Sequence, residues 1–311
     1  MTIEVGTASW TDPSLIGCRR FYPRGCSNAE ARLRYYASRF PLVEVDSSYY
    51  ALPSARNAAL WAERTPRGFR FNVKAFRIFT GHQTPAQALP KDIVEALTAH
   101  FAHHRNVYYR DLPNEIRDEL WTRFEHGIAP LRDAGKLGCV HFQFPPWVTP
   151  GAGAYAHIDA CRSRLAGFTL ATEFRQRTWF DAAHRDATLA FERSRGCVHV
   201  VVDAPQGFAN SVPPVWEVAD PHCVIVRLHG RNAATWNVRG ASASSERFNY
   251  DYPRDELADL AHRVRALDTR AAVVQVVFNN NYEDQGQRNA ATLQTLLADA
   301  EPPGDGPDAA E

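Results

Sequence analysis

The sequence predicts an α/β fold, a TIM-type (β/α)8 barrel, and two observations carry that prediction. First, eight strand-like runs alternate with helix-like segments along the 311 residues, and eight parallel strands close such a barrel. The runs span residues 3–8, 43–47, 69–74, 139–144, 169–174, 198–203, 224–228 and 273–278. Second, polar residues share one parity on seven of the eight runs. This is expected where one face of each strand lines a lumen and the other packs beneath helices.

The first two helices carry recognisable start signals. Residues 27–30, Ser-Asn-Ala-Glu, form a capping-box sequence, and Ser54 is expected to begin the next helix, which ends before Pro66. The helix after residue 30 places these apolar residues on one face: Leu33, Tyr36, Ala37 and Phe40. Both segments therefore fit the helices that connect strands 1, 2 and 3.

Strand 3, residues 69–74, sets the parity rule. Its apolar residues alternate with Arg70, Asn72 and Lys74, so the polar set is expected to face the lumen. The same rule turns polar residues inward on the other strands. Near the carboxyl ends of the strands these are Asp46, Lys74, Gln143, Glu173, Asp203, Arg227, His229 and Asn279. A deeper, supporting set comprises Glu44, Arg70, Asn72, His141, His199 and Gln275. Active sites of barrels lie at the carboxyl ends of the strands.

A helical insertion, residues 75–136, separates strands 3 and 4. Its pattern predicts two helices, at about 91–105 and 113–132. The insertion is either a cap over the catalytic rim or the third barrel helix with an added segment. Residues 205–221 contain several prolines and are expected to form an extended connection without a helix. We predict one domain over residues 1–300 and a disordered tail at 301–311.

The composition excludes some function classes. Basic and acidic residues both number 35, so the chain has no overall positive field to attract nucleic acid or an acidic membrane. No apolar run approaches the roughly 20 residues of a membrane span, and no leader is recognisable, so a cytoplasmic location is expected. Cys139, Cys197 and Cys223 are interpreted as small buried residues. A pairing or metal-binding role for Cys18 and Cys26 is the less favoured alternative.

Several motifs together carry a family resemblance. They are FYP at 21–23, YYASRFPLVEVDSSYY at 35–50, WAERTPRGFRFNVKAF at 61–76, QFPP at 143–146, TEFRQRTW at 172–179, VRLHGR at 226–231, YDY at 250–252 and FNNNYEDQGQRNA at 278–290. With them the chain resembles the YecE-like family, also known as domain of unknown function 72, over residues 3 to about 297. The resemblance implies a TIM-type barrel and names no reaction. Gln176 and Asp46 depart from the His and Asn that are common in the family at these positions.

The leading hypothesis is an acid–base enzyme of hydrolase or lyase type on an anionic, phosphorylated or sugar-like substrate. Glu173 and Asp203, on neighbouring strands, are the predicted acid–base pair, assisted by Lys74 and His229. The predicted substrate-binding residues are Asp46, Gln143, Arg175, Arg227, Arg231, Asn279, Asn280, Trp10, Tyr49 and Tyr250. No cofactor, metal or membrane partner is expected for this mechanism.

Three alternatives stay open at this point. A divalent-metal hydrolase, isomerase or endonuclease-like enzyme would use these ligands: Asp46, Glu173, Asp203 and His229. A Schiff base on Lys74 is a second alternative, although acidic neighbours favour an ion-paired lysine. A non-catalytic protein that binds a nucleotide or a nucleic acid is the third, supported by arginines and aromatic residues at the rim.

Overall fold

A computed structural model describes residues 2–237 and 244–299 and confirms the barrel. Its eight strands are parallel and close in the order β1-β10-β9-β8-β7-β6-β3-β2. The barrel strands are β1 Thr2–Ala8, β2 Leu42–Val45, β3 Arg70–Lys74, β6 Leu137–Gln143, β7 Leu170–Glu173, β8 Val198–Asp203, β9 Cys223–Leu228 and β10 Val273–Phe278. Two short strands outside the barrel, β4 Thr84–Pro85 and β5 Asn106–Val107, pair antiparallel.

Helices surround the barrel and bury their apolar faces against it. They are α1 Pro13–Cys18, α2 Ala29–Arg39, α3 Ser47–Tyr50, α4 Ala55–Glu63, α5 Lys91–Ala96, α6 Thr98–Phe101, α7 Asn114–Asp133, α8 Ala152–Arg164, α9 Arg185–Arg195, α10 Ala233–Trp236, α11 Arg254–Asp268 and α12 Gln285–Ala298. Short 3₁₀ turns span Ala86–Ala88, Tyr109–Asp111, Arg177–Phe180 and Ser244–Phe248. The start of α4 is confirmed, because the Ser54 hydroxyl accepts from the Asn57 amide. The capping-box prediction for α2 was wrong by one residue: the N-cap is Asn28, whose side chain accepts from the Ala31 amide.

The insertion contains the third barrel helix and an added segment. Helix α7 buries Phe124 and Ile128 and passes close to the loop before α4 at Gly127, where a Cβ atom would lie 2.2 Å from the Pro53 carbonyl oxygen. Only glycine permits that approach. The single helix predicted at 91–105 was wrong: α5 ends at Ala96, α6 is four residues long, and β5 follows. The segment between β3 and α7 therefore consists of short strands, helices and turns joined by loops, and its residue His82 lines the cavity at the rim.

Strand β8 corrects the parity prediction. Register pairs His199 with Thr172, next to inward-facing Glu173, so His199 faces the helices. The His199 ring is hydrogen-bonded to Glu192 of α9, with Nδ1 2.9 Å from the carboxylate. Asp203 has the same parity and pairs with Leu228, on the helix-facing side of β9. The inward residues of β8 are valines, and the predicted lumenal positions of His199 and Asp203 were wrong.

The remaining predictions on organisation have mixed outcomes. Residues 205–221 contain no helix, as predicted. All six cysteines are unpaired thiols, so Cys18 and Cys26 form no disulfide. Within residues 2–237 and 244–299, no helix has the length and apolar character needed to cross a bilayer. The predicted tail at 301–311 lies outside the described residues.

Candidate functional site

The amino-terminal end of the lumen is filled by a closed polar network. The Arg70 guanidinium lies 3.1 Å from Glu4, and the Gln275 amide donates to the same carboxylate at 2.9 Å. Asn72 donates to Gln275 at 2.8 Å and accepts from the Cys139 backbone amide at 2.8 Å. Each polar group here has a partner, as buried groups require. This layer supports the barrel and leaves little capacity for a ligand.

The middle of the lumen holds two buried glutamates joined by one arginine. Arg227 contacts Glu173 at 2.7 Å with Nη1 and Glu44 with Nη2. His141 bridges the same carboxylates, with Nδ1 3.0 Å from Glu44 and Nε2 3.1 Å from Glu173. Burial raises the pKa of both carboxyls, but the nearby positive charges outweigh burial. Arg227 holds the pKa of Glu44 well below its usual range, and Arg175 together with Arg227 does the same for Glu173. Both glutamates are therefore ionised at neutral pH.

His229 is held neutral at the top of this cluster. Arg227 can only donate, so its contact with Asn279 Oδ1 at 3.3 Å fixes the orientation of the Asn279 amide. Asn279 Nδ2 then donates to His229 Nδ1 at 2.8 Å. With Nδ1 accepting, the ring proton is on Nε2, which lies 3.4 Å from both Glu173 Oε1 and Arg227 Nη1. Burial and the charge of Arg175 lower the pKa of His229 well below its ordinary value. His229 therefore carries no charge at neutral pH.

A cavity of about 440 Å³ opens above the cluster, at the carboxyl ends of the strands. Its lining comprises Asp46, Tyr49, Tyr50, Lys74, His82, Gln143, Pro145, Pro146, Arg175, Asn210, Arg247, Phe248, Asn279 and Asn281. We call this cavity the rim pocket. Asp46 Oδ1 lies 3.3 Å from Lys74 Nζ. Burial nevertheless raises the pKa of Asp46, outweighing the attraction of Lys74, and repulsion from Glu44 adds to the rise. Asp46 is thus a carboxyl group in contact with the pocket whose affinity for a proton is increased.

The rim pocket has an excess of positive charge. Arg175 contacts Glu173 at 2.6 Å, and Lys74 lies 5.2 Å from the Tyr49 ring centre. Arg247 stacks on Trp236, with its guanidinium carbon 4.3 Å from the ring centre. Burial, with the charge of Arg175, lowers the pKa of Arg247 to about 10. Four cations, Arg227 included, face three carboxyls, one of which has a raised pKa, so the pocket suits an anion.

Five predicted site residues lie elsewhere. Asp203 accepts from the Tyr252 hydroxyl at 2.6 Å and pairs with Arg231 at 2.9 Å. Tyr250 and Asn280 belong to the same neighbourhood, since Asn280 donates to the Tyr250 carbonyl at 2.8 Å. These four residues stand outside the lumen and do not approach Glu173 in the way the acid–base hypothesis requires. Trp10 is buried and packs edge-on against Trp61, at 5.5 Å, and against Phe71.

The four ligands of the metal hypothesis do not converge. Asp203 faces the helices, while Glu173 is surrounded by Arg175 and Arg227. In the part of the chain that the structure describes, no three His, Cys, Asp or Glu side chains form a group that could hold a metal ion. Lys74 is ion-paired with Asp46, the state that its acidic surroundings favour over a Schiff base.

Sequence reasoning missed several residues of the pocket. His82 follows β3, Asn210 follows β8, and Arg247 follows β9, all on loops rather than on strands. Burial and the charge of Arg77 lower the pKa of His82 to about 3, so this ring is neutral. The rule that barrel sites are built from loops at the carboxyl ends would have directed attention to these segments. It would not have identified the residue in each loop that faces the pocket.

Comparison with known proteins agrees with this fold. Residues 4–310 match the family described as "Protein of unknown function DUF72". The UPF0759 protein YunF of Bacillus subtilis (strain 168) is 32% identical over 297 residues, covering 95% of this chain and 94% of that protein. A DUF72 family protein from Enterococcus faecalis V583 superposes with a TM-score of 0.76 at 27% identity, covering 97% of each chain. One from Thermotoga maritima MSB8 gives 0.72 at 26% identity, covering 96% of this chain and 100% of the other. The chain therefore belongs to the DUF72 family.

Proposed function

We propose that the protein is an acid–base enzyme that acts on a small anionic substrate in the rim pocket. The observation that carries this proposal is the pairing of Asp46 with Lys74 at 3.3 Å inside a cationic cavity. A carboxyl with a raised pKa can deliver and recover a proton, and the neighbouring ammonium stabilises developing negative charge.

The cations hold the substrate in this proposal. Lys74, Arg175 and Arg247 line the cavity, and Asp46 is the one acidic residue in the described lining. Gln143 and Asn279 line the same cavity and offer amide groups to a phosphate, carboxylate or neighbouring hydroxyl. Arginine donors in a fixed fork suit planar or tetrahedral anions. A phosphorylated or carboxylated compound is the substrate class that fits best.

Glu173 and His229 act as positioning residues in this proposal. Glu173 is fully buried and ionised, and its contacts hold Arg175 and Arg227 in place. His229 is neutral and directs its Nε2 proton toward the same carboxylate. Asp46, which the sequence assigned to substrate binding, takes the proton-transfer role, because its side chain is 22% exposed at the pocket surface.

The test combines binding and turnover. Wild-type protein is titrated with inorganic phosphate at low ionic strength and then screened against phosphorylated and carboxylated compounds by mass spectrometry. We expect Asp46→Asn to lose about 10²- to 10⁴-fold in turnover, the range of one acid–base group, and to keep anion binding. Lys74→Ala should weaken binding itself.

Asp251→Asn is the matched control, because Asp251 pairs with Arg288 outside the pocket. This variant should turn over like the wild type. Absence of any anion binding by the wild type would reject the proposed substrate class. Wild-type turnover by Asp46→Asn would reject the role of Asp46.

A further inference from the structure

A second cavity of about 480 Å³ adjoins the rim pocket. It is lined by Gly81, Gln83, Tyr108, Tyr109, Arg110, Trp147, Val148 and His157. We call it the aromatic cavity. Two short chain segments contribute to both cavities: residues 81–83, of which His82 lines the rim pocket, and residues 145–148, of which the two prolines line it. The two cavities are therefore neighbours.

A row of rings connects the two cavities. The Tyr49 ring centre is 5.2 Å from Lys74 Nζ and 5.2 Å from the His82 ring. The His82 ring is in turn 5.6 Å from Trp147. The rings of Tyr49 and His82, which both line the rim pocket, therefore form a continuous path from Lys74 to the indole, along which an extended substrate can lie.

Trp147 presents a fixed and open aromatic face. It is 56% exposed, one of two strongly exposed large hydrophobic residues in the described chain; the other, Tyr50, lines the rim pocket. Its indole N–H donates to the Gly81 carbonyl at 3.2 Å, which fixes the ring without covering it. An exposed, held indole is a platform on which a flat ring can stack.

Most of the surface of the aromatic cavity is apolar, although Gln83, Tyr108 and Arg110 also line it. His157 Nε2 already donates to the Phe79 carbonyl at 2.7 Å. The Tyr109 hydroxyl accepts from the Trp121 indole at 2.9 Å. A polyhydroxylated sugar needs a hydrogen-bond partner for most of its hydroxyls, whereas a planar aromatic ring needs a flat apolar surface. The lining favours the planar ring.

We propose that the substrate is a planar aromatic ring, an aryl group or a nucleobase, joined to a phosphate or carboxylate. The ring stacks on Trp147 in the aromatic cavity and the anion binds beside Lys74 in the rim pocket. This inference rests on the proposed function of the rim pocket and specifies its substrate class.

Isothermal titration calorimetry on the full chain tests it with matched pairs of compounds. Phenyl phosphate is compared with methyl phosphate, and adenosine monophosphate with ribose 5-phosphate. We expect at least one ring-bearing compound to bind about tenfold more tightly than its ringless partner, as stacking on one aromatic side chain gives. The pair that shows the advantage identifies the ring as an aryl group or a nucleobase.

Variants test whether Trp147 is the residue that causes the tighter binding of ring-bearing compounds. Trp147→Ala should abolish the ring preference and leave methyl phosphate binding unchanged, while Trp147→Phe should restore most of the preference. Trp216→Ala is the control, because Trp216 stacks on Arg263 and lines neither cavity. Equal binding with and without the ring, or a preference that persists in Trp147→Ala, would overturn this inference and leave the rim pocket proposal intact. Failure of the wild type to bind any of the four phosphates would overturn both.

Discussion

Two histidines, His199 on β8 and His229 just after β9, are equally buried and each faces a glutamate, yet their pKa values move in opposite directions. Burial lowers the pKa of both. At His199, Glu192 outweighs burial and raises the value above the ordinary one. At His229, the positive charge of Arg175 reinforces burial and the value falls well below it. Burial alone therefore does not decide the charge of a histidine in this barrel.

The difference lies in what else each glutamate serves. Glu192 accepts from the Thr172 hydroxyl at 2.6 Å and from His199 at 2.9 Å, and this outer cluster includes no arginine. Glu173 is contacted by two arginines and two histidines in the lumen. The outer cluster joins α9 to β7 through Thr172 and to β8 through His199. The lumenal cluster includes Arg175, which also lines the rim pocket.

The largest expected effect comes from removing charge in the lumen. Glu173→Gln leaves Arg175 and Arg227 buried with one carboxylate fewer, and arginine cannot release its proton to relieve the cost. We expect the free energy of unfolding to fall by about 3–5 kcal/mol, as when one partner of a buried pair is removed. Denaturant unfolding at pH 7 measures this change.

Glu4→Gln is the comparison variant for that measurement. Glu4 also pairs with an arginine in the lumen, but the Arg70 side chain is 38% exposed at the amino-terminal end. Its substitution should cost less than half as much, because water can solvate Arg70. Equal losses of unfolding free energy for the two variants would show that the buried position of Glu173 between two arginines does not increase its contribution to stability.

A smaller effect is expected from the outer cluster. Glu192→Gln removes the charge beside His199, but His199 can become neutral, so we expect a loss of only about 1–3 kcal/mol at pH 6. Because the pKa of His199 is raised when folded, its stabilisation is complete below its unfolded pKa and is lost as pH rises through the folded value. Unfolding free energies measured from pH 6 to 9 should decline in the wild type.

The Glu192→Gln variant should lack that part of the decline. NMR of the imidazole carbons provides the independent readout, with His199 titrating above and His229 below the ordinary histidine range. A variant curve parallel to that of the wild type would contradict the assignment of this pH dependence to His199.

This comparison also shows where sequence reasoning succeeds and where it fails. Alternation on β3, β6 and β10 identified the inward faces correctly, because each of these strands has polar residues on one face. On β8, His199 and Asp203 are polar and buried but face the helices, where Glu192 and Arg231 are their partners. Alternation reveals which residues share a face. It does not reveal which face is the lumen when valines fill one side and paired polar groups the other.

The site was predictable only in part for a related reason. Strand-borne residues such as Lys74, Gln143 and Asn279 follow from parity and reach the rim pocket. Trp147 lies on a loop and Arg247 in a short 3₁₀ turn, and in such connections the side-chain directions depend on contacts across the fold and not on a long period. The roles of Glu173 and Asp46 depend on the local count of charges, which only the assembled lumen supplies.

The smallest expected effect on stability comes from Asp46→Asn. Because burial raises the pKa of Asp46, its ionised form is disfavoured in the folded protein, and a neutral isostere removes that cost together with the ion pair to Lys74. These contributions oppose each other, so we expect the free energy of unfolding at pH 7 to change by no more than about 1 kcal/mol. Because the pKa of Asp46 is higher in the folded protein than in the unfolded chain, protonated Asp46 stabilises the fold at low pH. This stabilisation is lost as the pH rises from the unfolded pKa through the folded pKa. The variant should lack that decline.

Glu44→Gln, two residues earlier on β2, is the opposite case. Burial raises the pKa of Glu44 too, but Arg227 and His141 outweigh it and hold the value well below the ordinary range. Its contribution is therefore present above its unfolded pKa and is lost as pH falls, and its substitution should destabilise at pH 7. If Asp46→Asn destabilised the protein as much as Glu44→Gln, Asp46 would be one more structural ion-pair partner. A near-neutral Asp46→Asn would instead match a carboxyl kept at the pocket for proton transfer and not for stability.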